Sequence, residues 1–375
     1  MGVGRRDEMT FAERVWQINW GYLFFITLVA VVGYVALYAA AGGSAEPWAG
    51  KHAVRFGVGF AGLLIVAMTD LKVWQSLAYW MYGAALLLLI AVEIKGQIGM
   101  GAQRWIDLGF IRLQPSEVMK VCVVIALARY FSRITVEDAK RLPALVIPLG
   151  LIGVPTLLVL IQPDLGTALM ITMAGAALMF LSGVPYKYFM ITIGAGLAAI
   201  PLAWQFFLHD YQKARVMTFL NPESDPLGAG YHITQSKIAL GSGGISGKGF
   251  LEGTQSRLNF LPEKQTDFIF TLLAEEWGFV GGCALMLLFI VIMVYGYLIS
   301  WRSNNSFGRL LSLGLTTNFL LYIFINIAMV MGLIPVVGVP LPLISNGGSA
   351  MLAVLFSFGM IMCAYVHRDY KMIRR

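Results

Sequence analysis

Predominantly apolar stretches of about 17 to 25 residues recur along this chain, near 21–41, 53–69, 76–94, 116–131, 142–161, 165–182, 187–207, 278–299, 310–334 and 347–366. A bilayer's hydrocarbon core is about 30 Å thick and a helix rises about 1.5 Å per residue, so roughly 20 apolar residues cross it. Lipid offers no partner for an open backbone, so such stretches are expected to fold as helices. Ten transmembrane helices are therefore expected. Composition agrees, since a mean hydropathy of +0.74 with only 13% charged residues is far from a soluble domain. The expected fold class is an all-α polytopic integral membrane protein with a large extracytoplasmic loop between the seventh and eighth helices.

The first apolar run follows about twenty mostly polar residues and is too long for the core of a cleavable signal. It is expected to remain as an anchor. With the N-terminus inside, the inner segments collect 15 of the 27 Lys and Arg residues, including Arg133, Lys140, Arg141, Arg302, Arg309 and Arg368. The short outer segments collect six: Lys51, Arg55, Lys95, Arg104, Arg112 and Lys120. Both termini are thus expected in the cytoplasm, long loops being excluded from such a comparison. The chain reads as a single membrane domain over 1–375, with a cytoplasmic segment at 1–20, a large outer loop at 208–277 and a cytoplasmic tail at 367–375. The net charge of +7 suits this bias and anionic lipid headgroups, and gives no reason to expect nucleic-acid binding.

Cys122, Cys283 and Cys363 fall in apolar spans and the four histidines are scattered, so no His/Cys metal site is expected. The chemistry must lie with the outer charges. An ionisable group in or beside a span is costly, and by default marks function. Arg104, Asp107 and Arg112 precede Pro115, Glu117 and Lys120 at the entrance of the fourth span, and Asp164 sits in the turn IQPDLG. Proline followed by an acid is also ordinary helix-start chemistry. Lys120, however, is a cation near a helix's positive end and shares a face with Glu117, which calls for an anion nearby.

GSGGISGKG, residues 241–249, fails the Walker pattern at Ser242 and Gly249. It leaves a backbone phosphate nest or, more simply, a flexible turn. YHITQSKIAL, residues 231–240, reads as a short amphipathic helix. In FLPEKQTDFIF, residues 260–270, Asp267 abuts an apolar run too short to cross, which is placed at the outer surface, dipping into protein. Thr266 or Asp267 could simply cap that run. PVVGVPLPLISNGGSAM, residues 335–351, is irregular backbone that either lines the same cavity or makes a tight turn, leaving Asn346 and Ser349 open.

QRW followed by LQPSE and Lys120, the QPDLG turn, the loop AGYHITQSKIALGSGGISGKGFLEGTQSRLNFLPEKQTDFIFTLLAEEWG and the final PLPLISNGGS together resemble the bacterial SEDS family of shape, elongation, division and sporulation proteins. GTQSRLNFLPEKQTDFIF resembles its elongation members more than its division members. The resemblance implies a peptidoglycan glycosyltransferase that polymerises lipid II on the outer face of the inner membrane. It implies Asp267 as the general base for an inverting displacement of polyprenyl diphosphate. It also implies a class B penicillin-binding protein as partner, with the actin-like MreB and the associated MreC and MreD, besides the membrane lipids.

The leaving diphosphate needs cations, for which Arg104, Lys120, Arg215, Arg257 and Lys264 are candidates. Arg104 and Lys120 are preferred, with Glu117 holding Lys120. Asp164 could bind substrate, orient an arginine or carry structure. No cofactor is demanded, although Glu263, Glu275 and Glu276 could help a divalent cation bridge the diphosphate. The alternatives are a lipid II flippase, which would place charges near the midplane on broken helices, and a non-catalytic scaffold, which needs neither Lys120 nor Asp267.

Overall fold

The computed structural model describes residues 11–95, 97–99, 102–107, 109, 112–207, 210–221, 229–257 and 263–369. The first ten residues of the expected N-terminal segment and the tail from 370 lie outside the described residues. A short α1, Phe11–Trp16, precedes α2, Trp20–Ala40, whose Asn19 cap accepts from the Tyr22 N–H at 3.1 Å. Then come α3, Ala49–Met68; α4, Leu71–Lys95; α5, Pro115–Arg133; and a single turn, α6, Val136–Ala139. A 3₁₀ turn at Leu142–Leu145 runs into α7, Val146–Ile161, followed by α8, Leu165–Leu181, and α9, Tyr186–Leu202, which ends in a π turn at Ala203–Phe207. Shorter elements follow: α10, Asp210–Leu220; α11, Ala229–Ser242; and α12, Thr254–Arg257. The chain closes with α13, Ile269–Arg302; α14, Ser306–Val330; and α15, Gly348–Val366.

Every expected span is helical. Eight helices are long and apolar enough to cross a membrane: α2, α3, α4, the run Leu142–Ile161, α9 with its π turn, α13, α14 and α15. The other two expected spans differ for physical reasons. α8 has 17 residues, and α5 carries Glu117, Lys120, Arg129 and Arg133.

That charged helix sits at the centre. Fifteen of the 19 residues of α5 are buried, against α4, α7, α8, α14 and α15. α3 lies along α15, where Gly59 and Gly359 let the backbones approach, since a Cβ on either would meet Leu355, or Leu63 and Val66. α9 has no buried residue and lies at the periphery.

Between α4 and α5, residues expected to form a plain loop make a small antiparallel sheet instead. β1, Gln97–Gly99, pairs with β2, Ala102–Asp107, and β2 with β3, Arg112–Leu113. Trp105 and Ile106 favour extended backbone, and the sheet leads directly into α5. The chain is therefore mostly, not wholly, helical.

The run after Asp267 folds as expected into a buried stretch, but is continuous with the following span. α13 bends at Gly278, whose φ of 67° and ψ of −165° only glycine adopts readily. The bend interrupts the helical ladder and leaves carbonyls over. The Lys248 and Gly249 N–H groups donate to Glu275 O and Glu276 O, both at 3.1 Å, while the Phe279 and Val280 N–H groups donate to Gly244 O (2.9 Å) and Ile245 O (3.1 Å). A Cβ at Gly247 would collide with Glu276 O. The glycine run is thus neither a flexible turn nor a phosphate nest: two of its N–H groups are spent on docking to the bend.

Candidate functional site

Glu117 and Lys120 meet as their spacing requires. Proline at the start of α5 sets its entry, and three residues on, Lys120 Nζ donates to Glu117 Oε1 at 2.8 Å. Both are buried, Glu117 at 3% and Lys120 at 1% exposure. Tyr322 of α14 donates its hydroxyl to Glu117 Oε2 at 2.5 Å, and its ring centroid lies 4.1 Å from Lys120 Nζ. Met170 Sδ of α8 is 3.7 Å from the same ammonium. The pair is neutralised, partnered on both carboxylate oxygens, and screened by an aromatic face.

Asp164 both caps and orients. Its Oδ1 accepts from the Thr167 N–H at 3.2 Å and its Oδ2 from the Thr167 hydroxyl at 2.9 Å, capping α8. Arg104 Nε stands 3.8 Å from the same Oδ2, and the Arg104 guanidinium donates to Pro163 O. Gln114, the residue before α5, donates its side-chain amide to Asp164 Oδ2 at 3.4 Å and its N–H to Ser349 Oγ at 3.1 Å. The LQPSE, QPDLG and SNGGS motifs therefore converge at one point, the start of α5, α8 and α15.

Asp267 stands in the turn 263–268 before α13. It is not the cap: that position is Phe268, and no side chain caps the helix. The Thr266 hydroxyl instead donates to Glu263 O (3.2 Å) and Oε2 (3.0 Å). Among the described residues no hydrogen bond reaches the Asp267 carboxylate. Burial, and then the neighbouring Glu263, push its pKa up to about 6. Gly338, at φ 74°, faces it without a side chain, and a Cβ there would lie 3.6 Å from Asp267 Oδ2.

α14 links the two centres. Tyr322 holds Glu117, and Asn326, one turn on, donates its amide to Asp267 O at 3.0 Å. No described contact joins Asp267 directly to Arg104 or Lys120.

The remaining expected residues divide. Lys264 is part-buried, which lowers its pKa. Arg215 lies on α10 and Arg257 on α12, but their side chains lie outside the described residues. Glu275 is engaged by Lys248 Nζ at 2.7 Å and by the Thr254 hydroxyl and Gln255 N–H, each at 3.1 Å. Among the described residues no group of three or more His, Cys, Asp or Glu is placed to hold a metal ion.

Residues the sequence reading passed over are Tyr322, Asn326, Lys248 and Arg55, whose Nη1 donates to Asn346 Oδ1 at 2.7 Å. For Arg55 the signal was present, since it sits inside the second apolar stretch as Lys120 sits inside the fourth. Tyr322 and Asn326 gave none, because a polar residue in an apolar span does not name its partner. An apolar groove of about 370 Å³ opens between α3, α4, α5 and α15, lined by Val58, Met81, Leu113, Val118, Leu352 and Phe356 among others.

The chain is similar to known proteins over nearly its whole length. Residues 14–370 match the FtsW/RodA/SpoVE model, described as cell cycle protein. The chain is 44% identical over 365 residues to peptidoglycan glycosyltransferase MrdB of Escherichia coli K12, covering 96% of this chain and 97% of that one. It is 35% identical over 320 residues to a probable peptidoglycan glycosyltransferase FtsW of Coxiella burnetii, covering 83% and 84%. A solved chain from a peptidoglycan synthase complex that coordinates polymerization and crosslinking superposes with a TM-score of 0.81 at 28% identity, covering 94% and 99%. The rod shape determining protein RodA of Thermus thermophilus superposes at 0.71 with 26% identity, covering 94% and 98%. With a family model spanning nearly its whole length and a relative at 44% identity, the chain belongs to the FtsW/RodA/SpoVE family of cell cycle proteins, the SEDS family.

Proposed function

We propose that this chain is a peptidoglycan glycosyltransferase that polymerises lipid II during cell elongation, at the outer face of the inner membrane. All ten helices span, α5 and α8 included, both termini face the cytoplasm, and 208–277 is the outer loop of one membrane domain. The observation that carries the reading is the Asp267 carboxylate: part-buried, with its pKa raised so that it is a stronger base than usual, unencumbered by a capping bond, and tied through α14 to a buried ion pair.

The reaction is an in-line displacement at the anomeric carbon of the donor muramyl sugar. The acceptor's 4-hydroxyl attacks, Asp267 takes its proton as the bond forms, and polyprenyl diphosphate leaves with inversion from α to β. Arg104 is the best-placed cation for the diphosphate, because its side chain is 25% exposed and Asp164 aims it. Lys120, at 1% exposure, reaches a phosphate only when the outer elements shift. Lys264 and Arg215 complete the set of substrate-binding cations. The groove between α3, α4, α5 and α15 suits a polyprenyl tail, being apolar and open to lipid.

The family resemblance and the likeness to a chain of a peptidoglycan synthase complex support a class B penicillin-binding protein as partner. The first test is glycan-strand formation from purified lipid II by the reconstituted pair, with Asp267→Asn beside wild type. Loss of polymer with an intact complex is expected. Undiminished polymer would place the base, or the activity, elsewhere.

A further inference from the structure

Three successive carbonyl oxygens in the turn that carries Asp267 are each taken by a different donor from the last fifty residues of the chain's helical core and its preceding loop. The Asn346 N–H donates to Gln265 O at 2.8 Å, the Ser345 hydroxyl to Thr266 O at 2.5 Å, and the Asn326 amide to Asp267 O at 3.0 Å. Asn326 also donates to Val339 O at 2.7 Å, and Ser345 Oγ accepts from the Leu341 N–H at 2.8 Å. Both side chains are buried, Asn326 at 0% and Ser345 at 3% exposure.

A turn at a protein surface ordinarily leaves its carbonyls to water. This one has a non-glycine residue, Glu263, at φ 56°, a conformation that persists only where the surroundings over-determine it. The three donors supply that constraint. They also fix a distance, because Asn326 follows Tyr322 by one turn, about 6 Å along the same face of α14. Tyr322 holds Glu117 and Asn326 holds Asp267, so one rigid helix face spaces the carboxylate from the ion pair. Asn326 Oδ1 is buried and meets no donor among the described residues. A buried amide with an unmatched oxygen is a poor choice for stability alone.

We propose that Asn326 and Ser345 are positioning residues, which hold the Asp267 carboxylate at a fixed place relative to the Glu117–Lys120 pair by gripping the main chain of its turn. The inference rests on Asp267 as general base. It goes further in assigning the geometry of that base to two side chains that touch neither the carboxylate nor, on this reading, the substrate. A purely structural pin would lower the folded fraction and leave the surviving enzyme unchanged. A positioning residue changes the enzyme that remains.

The test measures polymerisation of lipid II by the chain reconstituted with its transpeptidase, between about pH 5 and pH 9, for wild type, Asn326→Ala, Ser345→Ala and Asp267→Asn. For Asn326→Ala, kcat is expected to fall by about tenfold or more with KM within about twofold, since small misplacements of a reacting group are costly. The acid limb of its pH profile is expected to move by roughly half a unit or more as the carboxylate changes its surroundings. Ser345→Ala is expected to shift both in the same direction by less.

Variants that fold, with kcat and acid limb as in wild type, overturn the proposal, as does a change confined to KM. Should Asn326→Ala fail to fold, Ser345→Ala carries the same readouts, and a wild-type profile there is equally decisive against it. Asp267→Asn separates the two levels. If it polymerises normally, the base assignment fails and takes this inference with it; if it is inactive while Asn326→Ala and Ser345→Ala behave as wild type, the inference fails alone.

Discussion

The Tyr322 hydroxyl donates to Glu117 Oε2 across 2.5 Å, while Lys120 holds the other oxygen at 2.8 Å. A buried ion pair contributes little over an apolar pair of the same shape, but breaking it is expensive. Lys120→Met should therefore destabilise the fold by about 3–5 kcal/mol, and Tyr322→Phe by about 1–3 kcal/mol. Glu117→Leu combined with Lys120→Met should recover much of the stability without restoring polymerisation. Thermal unfolding in detergent beside the activity assay checks both halves, and a Lys120→Met chain that melts like wild type would contradict the burial.

Asp164 has two roles that substitution can separate. Asn caps nearly as well as Asp but carries no charge for Arg104. Asp164→Asn should melt close to wild type and polymerise poorly, whereas Asp164→Ala should lose about 1 kcal/mol as well. Equal activity in Asp164→Asn and wild type would assign the residue to capping alone.

With Asp267 as the proposed base, polymerisation should show an acid limb near the carboxylate's raised pKa of about 6, activity rising as it loses its proton. The stability contribution runs the other way. Because the folded-state pKa is raised above 3.8, the folded chain binds more protons than the unfolded chain between these values. The contribution is complete below 3.8 and lost as pH rises through about 6. Activity lost on acidification near pH 6 should therefore come without any loss of stability from this group. Rate profiles and melting curves in the same buffers decide it, and unfolding that tracks the rate would point to another cause.

Gly278→Ala meets two obstacles, a left-handed φ of 67° and a collision with the Gly247 N–H. Strain alone is of order 1–3 kcal/mol. The variant should melt lower and become sensitive to protease within 241–249, where limited proteolysis reads the outcome directly. An unchanged digestion pattern would show that the loop does not depend on the bend.

Much of this was legible because lipid makes the code simple. Apolar length located the eight helices long and apolar enough to cross a membrane and put helix at the other two stretches, and the spacing of Glu117 and Lys120 alone placed them in contact. The sheet over 97–113 was hidden because its strands are three, six and two residues long, too short to show a period. The glycine run was misread because its partner is backbone: four hydrogen bonds to 275–280 involve no side chain that a sequence could advertise. Whether Asp267 caps the following helix was not decidable from the sequence, since only the structure puts the helix start at Phe268. Asn326 and Ser345 were invisible for a further reason, since what they grip is two carbonyls in a turn 59 to 79 residues away.

The place of α5 bears on how the protein enters the membrane at all. A charged residue in an inserting helix is costly, most of all at its centre, and α5 brings Glu117 and Lys120 in its first two turns with Arg129 and Arg133 in its last two. It emerges from the ribosome long before Met170 of α8 and Tyr322 of α14 exist to receive its pair. On the proposed ten-span topology its early residence in lipid would then rest on α4 and on the pairing of its own charges. The partners of the pair are complete only once α14 is present, so a chain truncated ahead of Ser306 should be a substrate for membrane quality control rather than a smaller version of the protein.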